Sequence, residues 1–152
     1  MKYSILICVT VLSLLSCKNE TQKTETSLIP ESEKTFSQES PLEQSIKRGE
    51  AVYIDFCKRC HMPNGKGVGT TYPPLAGSNW LEEKRKESIH SVKYGLNGEI
   101  QVNGKTYNNV MTPLGLSDDE VADVMNYVMN SWGNTQDTMV TEDEVSAIKN
   151  RF

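Results

Sequence analysis

The chain has 152 residues, a formal net charge of −4 and four cysteines. That length is enough for one modest domain with appendages. Because the charge balance is mildly acidic and no block of basic residues occurs, the composition argues against nucleic acid as a partner.

Residues 1–16 are predicted to be a lipoprotein signal peptide. Met1-Lys2 is a short positive region, and the apolar run from Ser4 to Leu15 is too short to cross a bilayer comfortably. The run ends Leu14-Leu15-Ser16-Cys17, which resembles a bacterial lipobox. The resemblance implies cleavage before Cys17 and its acylation, which would anchor the exported chain to a bacterial membrane on the periplasmic or cell-envelope side. An ordinary signal peptide with a soluble periplasmic product is the alternative.

Residues 17–40 are predicted to be the acylated cysteine followed by a flexible tether. From Lys18 to about Ser40 the chain is mostly Ser, Thr, Glu, Gln and Lys. Such a composition cannot bury enough apolar surface to fold. The folded domain is therefore expected over residues 41–152.

Ser40-Pro41-Leu42-Glu43 predicts the start of a helix. Serine caps it, proline takes the first helical position, and glutamate follows three residues after the cap. A glycine inside a helix lowers stability, so Gly49 is expected to permit close contact with another helix; the alternative is a glycine that is merely tolerated. The residues that recur at helical spacing and are expected to share one face of this helix are Ile46, Gly49, Tyr53 and Phe56.

Cys57-Lys58-Arg59-Cys60-His61 has the C-x-x-C-H pattern that attaches a c-type haem. Two thiols three positions apart can each form a thioether with a vinyl group of the porphyrin, and the imidazole of His61 then becomes the proximal iron ligand. The alternatives are half of a zinc site and a thioredoxin-like dithiol. Zinc is disfavoured because a closed site needs four ligands, and a redox dithiol because no βαβ pattern surrounds the motif.

The segment from Tyr72 to Gly77 is expected to be stiff and extended, because it contains Pro73-Pro74. A backbone carbonyl in it can accept the Nδ1 proton of His61, which fixes the tautomer that leaves Nε2 for iron. The glycines between Asn64 and Gly69 neither follow a strand nor open a helix, so a nucleotide-binding loop is rejected.

A charged helix is predicted from about Trp80 to Tyr94. His90 lies on it, away from the apolar positions, and is predicted to be a solvated histidine rather than an iron ligand. Val102-Asn103-Gly104-Lys105 is typical of a hairpin turn. The proline-containing loop from Asn108 to Gly115 holds one soft donor, Met111.

Ser117-Asp118-Asp119-Glu120 is a second capping box, and it predicts an amphipathic helix that ends at Gly133. Met125 and Met129 on that helix are predicted to be packing residues. Thr141 is expected to cap a short terminal helix laid against the domain. The apolar residues that recur along the amphipathic helix are Val121, Val124, Met125, Val128 and Trp132.

With these motifs in this order, the chain resembles a monohaem class I c-type cytochrome over about Leu42 to Trp132. The resemblance implies an all-α fold, the class I cytochrome c fold, with three to five helices around one covalently bound haem. Gly49 and Tyr53 match the glycine and aromatic of the family's N-terminal helix. Val124 and Tyr127 match the residues of the C-terminal helix that cross it.

The resemblance also implies roles for residues of two loops. Pro73-Pro74-Leu75-Ala76-Gly77 is similar to the family's Pro-x-Leu-x-Gly segment, so the carbonyl of Pro73 is implied to hold His61 and Leu75 to pack on the haem. Met111 falls where the family has its distal iron ligand, although Thr112 separates it from Pro113, where many members have Met-Pro. The implied cofactor-binding residues are Cys57, Cys60, His61, Pro73, Leu75 and Met111, with His61 and Met111 on the metal.

The predicted function is one-electron transfer by a membrane-tethered His/Met haem c domain, which makes the protein an electron carrier and not an enzyme. Stretches such as Asn130-Ser131-Trp132-Gly133-Asn134 look like bacterial cytochromes that serve copper nitrite reductases, quinoprotein dehydrogenases or terminal oxidases. A redox protein of this kind is therefore the expected partner. Lys58 and Arg59 either favour an acidic docking patch or are simply solvated. The rival functions are a haem-based ligand sensor or peroxidase-like enzyme with a labile distal Met, and a haem-free tethered interaction module.

Overall fold

Six α-helices and one β-hairpin form the part of the chain that the computed structural model describes, residues 39–136 and 138–150. The expectation of a mainly helical fold is confirmed. The predictions for the signal peptide, for acylation at Cys17 and for most of the tether lie outside these residues. The elements are α1 (Pro41–Val52), a π-helical turn (Tyr53–Cys57), α2 (Lys58–His61), α3 (Asn79–Glu83), α4 (Arg85–Tyr94), β1 (Ile100–Val102), β2 (Lys105–Tyr107), α5 (Asp118–Met129) and α6 (Glu142–Ala147).

Capping residues set the starts of α1 and α5, as predicted. The backbone N–H of Glu43 donates to Ser40 Oγ at 3.2 Å, and the Ser40 N–H donates to Glu43 Oε2 at 2.7 Å. Ser117 and Glu120 form the same reciprocal box at α5. Each box satisfies N–H groups that have no partner inside the helix.

The π-helical turn corrects one prediction about the first helix. Gly49 and Tyr53 are buried on its inner face as expected, but Phe56 is 46% exposed. A π turn holds more residues per turn than an α-helix, so Phe56 rotates away from the interior and Cys57 takes the buried position. The turn joins α1 to α2 without a loop, so the first cysteine follows directly from the long helix.

Helices α1 and α5 pack closely where Gly49 meets α5. A Cβ atom added at Gly49 would lie 1.9 Å from the carbonyl oxygen of Asp123 and 2.9 Å from Cβ of Tyr127. The expected close contact at Gly49 is thus confirmed. Polar groups support the same crossing: the buried Ser45 Oγ donates to Asp123 Oδ1 at 2.7 Å, and the exposed Arg48 forms an ion pair with the same carboxylate.

The predicted helix over residues 80–94 is divided in two, at Lys84. An unbroken α-helix would use the carbonyl of Leu81 to accept the N–H of Arg85. Here that carbonyl accepts a hydrogen bond from the side chain of Gln136 at 3.1 Å. The helix therefore ends at Glu83 and a new one starts at Arg85.

Helix α5 ends at Met129, earlier than the predicted Gly133. Side-chain amides take two of its last carbonyls, since Asn130 donates to Asn126 O and Asn134 donates to Val128 O, both at 2.8 Å. Trp132 then adopts a positive φ of 53°. Its ring packs on that of Tyr53, with 5.0 Å between the centroids.

The short helix α6 lies against α4 and α5, as predicted. Arg85 forms two hydrogen bonds with the carboxylate of Glu144, at 2.7 and 2.8 Å. Lys93 Nζ donates to the carbonyl of Val145 at 3.0 Å, and Val145 is fully buried.

The hairpin forms as predicted, with Asn103 and Gly104 as its two-residue turn. Both residues have positive φ, at 50° and 72°, as such a turn requires. His90 of α4 is half-buried, not solvated as predicted, and its ring packs on that of Tyr94. Within the described ranges, no helix combines the length and apolar character that a membrane span requires.

Candidate functional site

Two adjoining cavities lie between the C-x-x-C-H segment, α4, α5 and the loops before and after the hairpin. Their volumes are about 80 and about 300 Å³. Most of the lining side chains are apolar, which is typical of a site that buries an organic cofactor. The residues that line both cavities are Cys57, His61, Pro73, Leu96, Ile100 and Met111.

The two cysteines are both free thiols on the wall of this space. Cys57, at the end of the π-helical turn, lines both cavities, and Cys60 of α2 lines the larger one. Burial, with a smaller contribution from Cys60, raises the pKa of Cys57 to about 12. A reactive redox dithiol requires a lowered thiol pKa, so the shift argues against a thioredoxin-like site. Across residues 39–136 and 138–150, no group of three or more His, Cys, Asp or Glu side chains is arranged to hold a metal ion.

His61 is oriented by the extended segment that the sequence predicted. Its Nδ1 lies 3.0 Å from the carbonyl oxygen of Pro73. Because a carbonyl only accepts, Nδ1 carries the proton and Nε2 is left as the ligating nitrogen. Burial lowers the pKa of His61, against the opposing effect of the hydrogen bond to Pro73. The imidazole is thus held neutral, in the form that binds a metal.

Glycines hold the loop after His61 against the extended segment. The N–H groups of Leu75 and Ala76 both donate to the carbonyl of Gly65, at 2.7 and 2.9 Å. Gly65 has a φ of 66°, and a Cβ atom there would lie 2.4 Å from the ring of Trp132. The glycine-rich loop therefore has a structural role.

Met111 is fixed through its backbone. Its N–H and carbonyl both pair with those of Leu96, each at 2.8 Å. A Cβ atom at Gly95 would lie 2.6 Å from Met111 O, so only glycine allows this approach. Thr112, which separates Met111 from Pro113, is exposed and lines the larger cavity.

The structure brings the six predicted cofactor-binding residues to one place. Five line the smaller cavity, and Cys60 lines the larger. His90 and Met129 line neither. Met125, which was assigned to packing alone, is 1% exposed and also lines the smaller cavity. Its position next to Val124 and three residues before Val128, which line the same cavity, was the signal that could have placed it there.

The ligating residues of this site fit a haem better than they fit a zinc ion or a redox dithiol. An imidazole with its Nδ1 proton engaged and a thioether are a ligand pair that haem iron takes in proteins. Two cysteines immediately before the histidine can each attach to a porphyrin vinyl group. The apolar lining suits a porphyrin ring. The residues present therefore fit a c-type haem.

Comparisons with known proteins agree with this fit. A family model described as cytochrome c matches residues 46–132. The chain is 38% identical over 93 residues to cytochrome c-552 of Thermus thermophilus, covering 58% of this chain and 70% of that protein. It is 31% identical over 104 residues to the cytochrome c subunit of the quinone alcohol dehydrogenase of Gluconobacter oxydans, covering 66% of this chain. It is 29% identical over 132 residues to the gluconate 2-dehydrogenase cytochrome c subunit of Pantoea cypripedii, covering 78% of this chain. The chain spans 22% and 29% of the length of those two subunits.

Proposed function

The chain belongs to the cytochrome c family, and we propose that it carries single electrons on one covalently attached haem c. The family binds haem c and transfers electrons. The observation that carries the finer proposal is that Cys57, His61 and Met111 line the same two cavities. When bound, the haem supplies an iron that alternates between the ferrous and ferric states. The protein supplies attachment, two axial ligands and an apolar surrounding.

Each ligand has a separate structural support. The thiols of Cys57 and Cys60 are the attachment points, on a helical segment that continues α1. The carbonyl of Pro73 accepts the Nδ1 proton of His61, which would leave Nε2 to bind the iron, and this bond also raises the basicity of the imidazole. Leu75, half-buried on the cavity wall, would pack on the ring.

An electron carrier fits the site better than a ligand sensor or a peroxidase-like enzyme. Either rival needs a distal methionine that leaves the iron readily. The two backbone hydrogen bonds to Leu96 and the close approach of Gly95 hold the Met111 backbone in one position. If His61 and Met111 both bind the iron, no coordination position would remain for a ligand or a peroxide, and electron transfer is the chemistry that the site would support.

The proposal is tested on the purified full chain. A pyridine haemochrome assay should show the band of thioether-linked haem, at one haem per chain. A redox titration should follow a one-electron Nernst curve, and the reduced protein should bind no carbon monoxide. Rapid binding of carbon monoxide by the wild-type protein would contradict the carrier, and a chain without covalent haem would contradict the whole proposal.

We further propose that Cys17 is acylated and tethers the domain to a bacterial membrane, with the haem domain on the periplasmic or cell-envelope side. The support is the sequence Leu14-Leu15-Ser16-Cys17 after a short apolar run. Several acyl chains on one residue give stable membrane attachment. A tethered carrier stays close to membrane-bound redox enzymes, which is a reason for the anchor.

A redox enzyme, such as a quinoprotein dehydrogenase, a nitrite reductase or a terminal oxidase, is the proposed partner. Three of the related proteins are named as cytochrome subunits of dehydrogenases for alcohol, gluconate and fructose. Phe56 and Val110, which line the larger cavity, are 46% and 63% exposed, so two apolar side chains of its wall are accessible to a partner. Arg59, three residues after Phe56, is exposed and supplies positive charge.

The partner is tested with membranes of its own cell in two assays: the oxidised protein is supplied with alcohol, gluconate or fructose in turn, and the reduced protein is supplied with nitrite or oxygen. Reduction or oxidation of the haem by one of these identifies the enzyme class. Val110→Asp should slow the reaction without changing the reduction potential, and Thr106→Asp, on the exposed strand β2, is the matched control. Equal rates for all three proteins would contradict docking at the apolar rim.

A further inference from the structure

Side-chain amides from two distant parts of the chain hold the segment that orients His61. Gly77 ends this segment, and both of its backbone groups are bonded to asparagines. Its N–H donates to Asn134 Oδ1 at 2.8 Å, and its carbonyl accepts from Asn103 Nδ2 at 3.0 Å.

Asn134 joins two walls of the smaller cavity. Its Nδ2 donates to the carbonyls of Leu75 and Val128, at 2.9 and 2.8 Å, while its Oδ1 accepts from Gly77. Leu75 and Val128 both line the cavity, one from the extended segment and one from α5. A single amide has two donor hydrogens and an acceptor oxygen, and here all three bonds are made to backbone. Asn134 lies beyond residue 132, where the match to the family model ends.

Asn103 secures the same segment from the hairpin turn. Its backbone N–H donates to Asn79 Oδ1 at 2.8 Å, and the Asn79 N–H donates to Asn103 Oδ1 at 3.0 Å. The Asn103 side chain thus bonds to both Gly77 and Asn79. Its positive φ, which asparagine tolerates well, places the amide in this position.

We infer that Asn134, assisted by Asn103, is a positioning residue for the axial histidine. The inference rests on the proposed haem c function and deepens it. The amides hold the backbone of Leu75 and Gly77 in place. Because Pro73 belongs to the same segment, they also hold its carbonyl oxygen, which lies 3.0 Å from Nδ1 of His61. Neither asparagine lines the cavities, so both act through the backbone of the extended segment.

The position of the Pro73 carbonyl affects the iron through His61. A short hydrogen bond from Nδ1 makes the imidazole more basic, and a more basic ligand stabilises ferric over ferrous iron. Loosening the segment weakens that bond. The reduction potential should therefore rise, and the Nδ1 proton should exchange faster with water.

The experiment compares four variants of the full-length haem protein with wild type. Asn134→Ala removes all three bonds, and Asn134→Asp keeps the acceptor for Gly77 but not the donors. Asn103→Gly removes the second amide without straining the turn. Asn130→Ala is the control, because its side chain bonds to Asn126 O and to the Gln136 N–H and not to the extended segment. The readouts are the reduction potential, exchange of the His61 Nδ1 proton in the reduced protein by NMR, and the melting temperature.

Asn134→Ala should raise the potential and accelerate exchange by about tenfold, the factor expected for loss of roughly one net hydrogen bond. Asn103→Gly should give smaller changes of the same sign. Asn134→Asp should accelerate exchange, but its added negative charge opposes the rise in potential, so exchange is the readout for this variant. Asn130→Ala should change neither quantity. If Asn134→Ala lowers the melting temperature but matches Asn130→Ala in potential and exchange, the inference is wrong.

If Asn134→Ala does not fold, the variants Asn134→Asp and Asn103→Gly test the inference. Unchanged exchange in both, with an unchanged potential in Asn103→Gly, then overturns it, and the predicted shifts in either support it. The haem content and carbon monoxide binding of the wild-type protein test the proposed function separately. A wild-type carrier with normal haem but unresponsive variants would refute only the positioning role.

Discussion

Gly49 of α1 lies directly against the backbone of Asp123 in α5, so closely that a Cβ atom at residue 49 would be 1.9 Å from the Asp123 carbonyl oxygen. The neighbouring atoms belong to a helix backbone and cannot rotate away. We therefore expect Gly49→Ala to destabilise the folded protein by about 1–3 kcal/mol through overpacking. Urea unfolding measures the change.

The control for Gly49→Ala is Ala51→Leu, which adds more volume to the exposed face of the same helix. It should leave the free energy of unfolding within about 0.5 kcal/mol of wild type. A Gly49→Ala variant as stable as wild type would show that the two helices do not pack this closely.

Met111→Ala should remove the distal iron ligand. The reduction potential should fall, the reduced protein should bind carbon monoxide, and the red Fe–S charge-transfer band of the ferric protein should disappear. A smaller apolar side chain keeps the backbone pairing with Leu96, so loss of ligation is separated from loss of the loop.

Three variants serve as controls for the Met111 prediction. His90→Ala should leave the band intact, since His90 lines neither cavity. Met129→Leu should also leave the band intact. Met125→Leu is included because Met125 is the other methionine that lines the smaller cavity. If the band survives in Met111→Ala and disappears in one of these controls, the residue replaced in that control is the distal ligand instead of Met111.

The ion pair between Arg85 and Glu144 should make stability depend on pH. The two hydrogen bonds from the Arg85 guanidinium hold the pKa of Glu144 below its ordinary value of 4.5. Because the folded state favours the carboxylate, the stabilisation is complete above about pH 4.5 and is lost as the pH falls through the folded-state pKa. Both side chains are partly exposed, at 24% and 29%, so we expect a loss of about 1 kcal/mol.

Denaturant unfolding of wild type and Glu144→Gln as a function of pH measures this contribution. The variant should be less stable near neutral pH, and its difference from wild type should shrink in acid. Glu142→Gln, at an exposed position in the same helical turn, is the control. A difference between wild type and Glu144→Gln that stays constant with pH would contradict the ion pair.

Cys17→Ser should release the protein from the membrane fraction while leaving the haem spectrum unchanged. Serine cannot carry the thioether-linked lipid, and the haem domain begins well after this position. The measurement is fractionation after a high-salt wash, which removes electrostatic attachment. Cys8→Ser, inside the apolar run, is the control and should stay with the membrane.

The sequence predicted elements that have local signals. The capping boxes at Ser40 and Ser117 fix where two helices start, and Asn103-Gly104 determines the hairpin turn. The C-x-x-C-H pattern and the two prolines after it predicted that a backbone carbonyl of this segment would accept the Nδ1 proton of His61, and the family resemblance implied that it is the carbonyl of Pro73. All of these depend on residues close together along the chain.

The helix ends that differ from the predicted ones lie where a side chain from another part of the chain accepts or donates in place of a backbone group. Gln136 takes the carbonyl of Leu81 and divides α3 from α4, and Asn134 takes that of Val128 near the end of α5. No pattern within residues 80–94 indicates that an amide more than forty residues later will end the helix. The same reason explains why the contacts of Asn134 with Leu75 and Gly77 were not foreseen.

The π-helical turn at Tyr53–Cys57 makes the attachment segment sensitive to insertion and deletion. Each residue advances an α-helix by about 100°, so removing one residue from the turn would rotate the following segment by about that angle around the axis of α1. Cys57 and His61 would then face a different direction, while every side chain of the motif stayed the same. A substitution in this turn changes one contact, whereas a change in its length alters the orientation of every side chain of the C-x-x-C-H motif. The number of residues between Gly49 and Cys57 is therefore as much a determinant of the site as their identities.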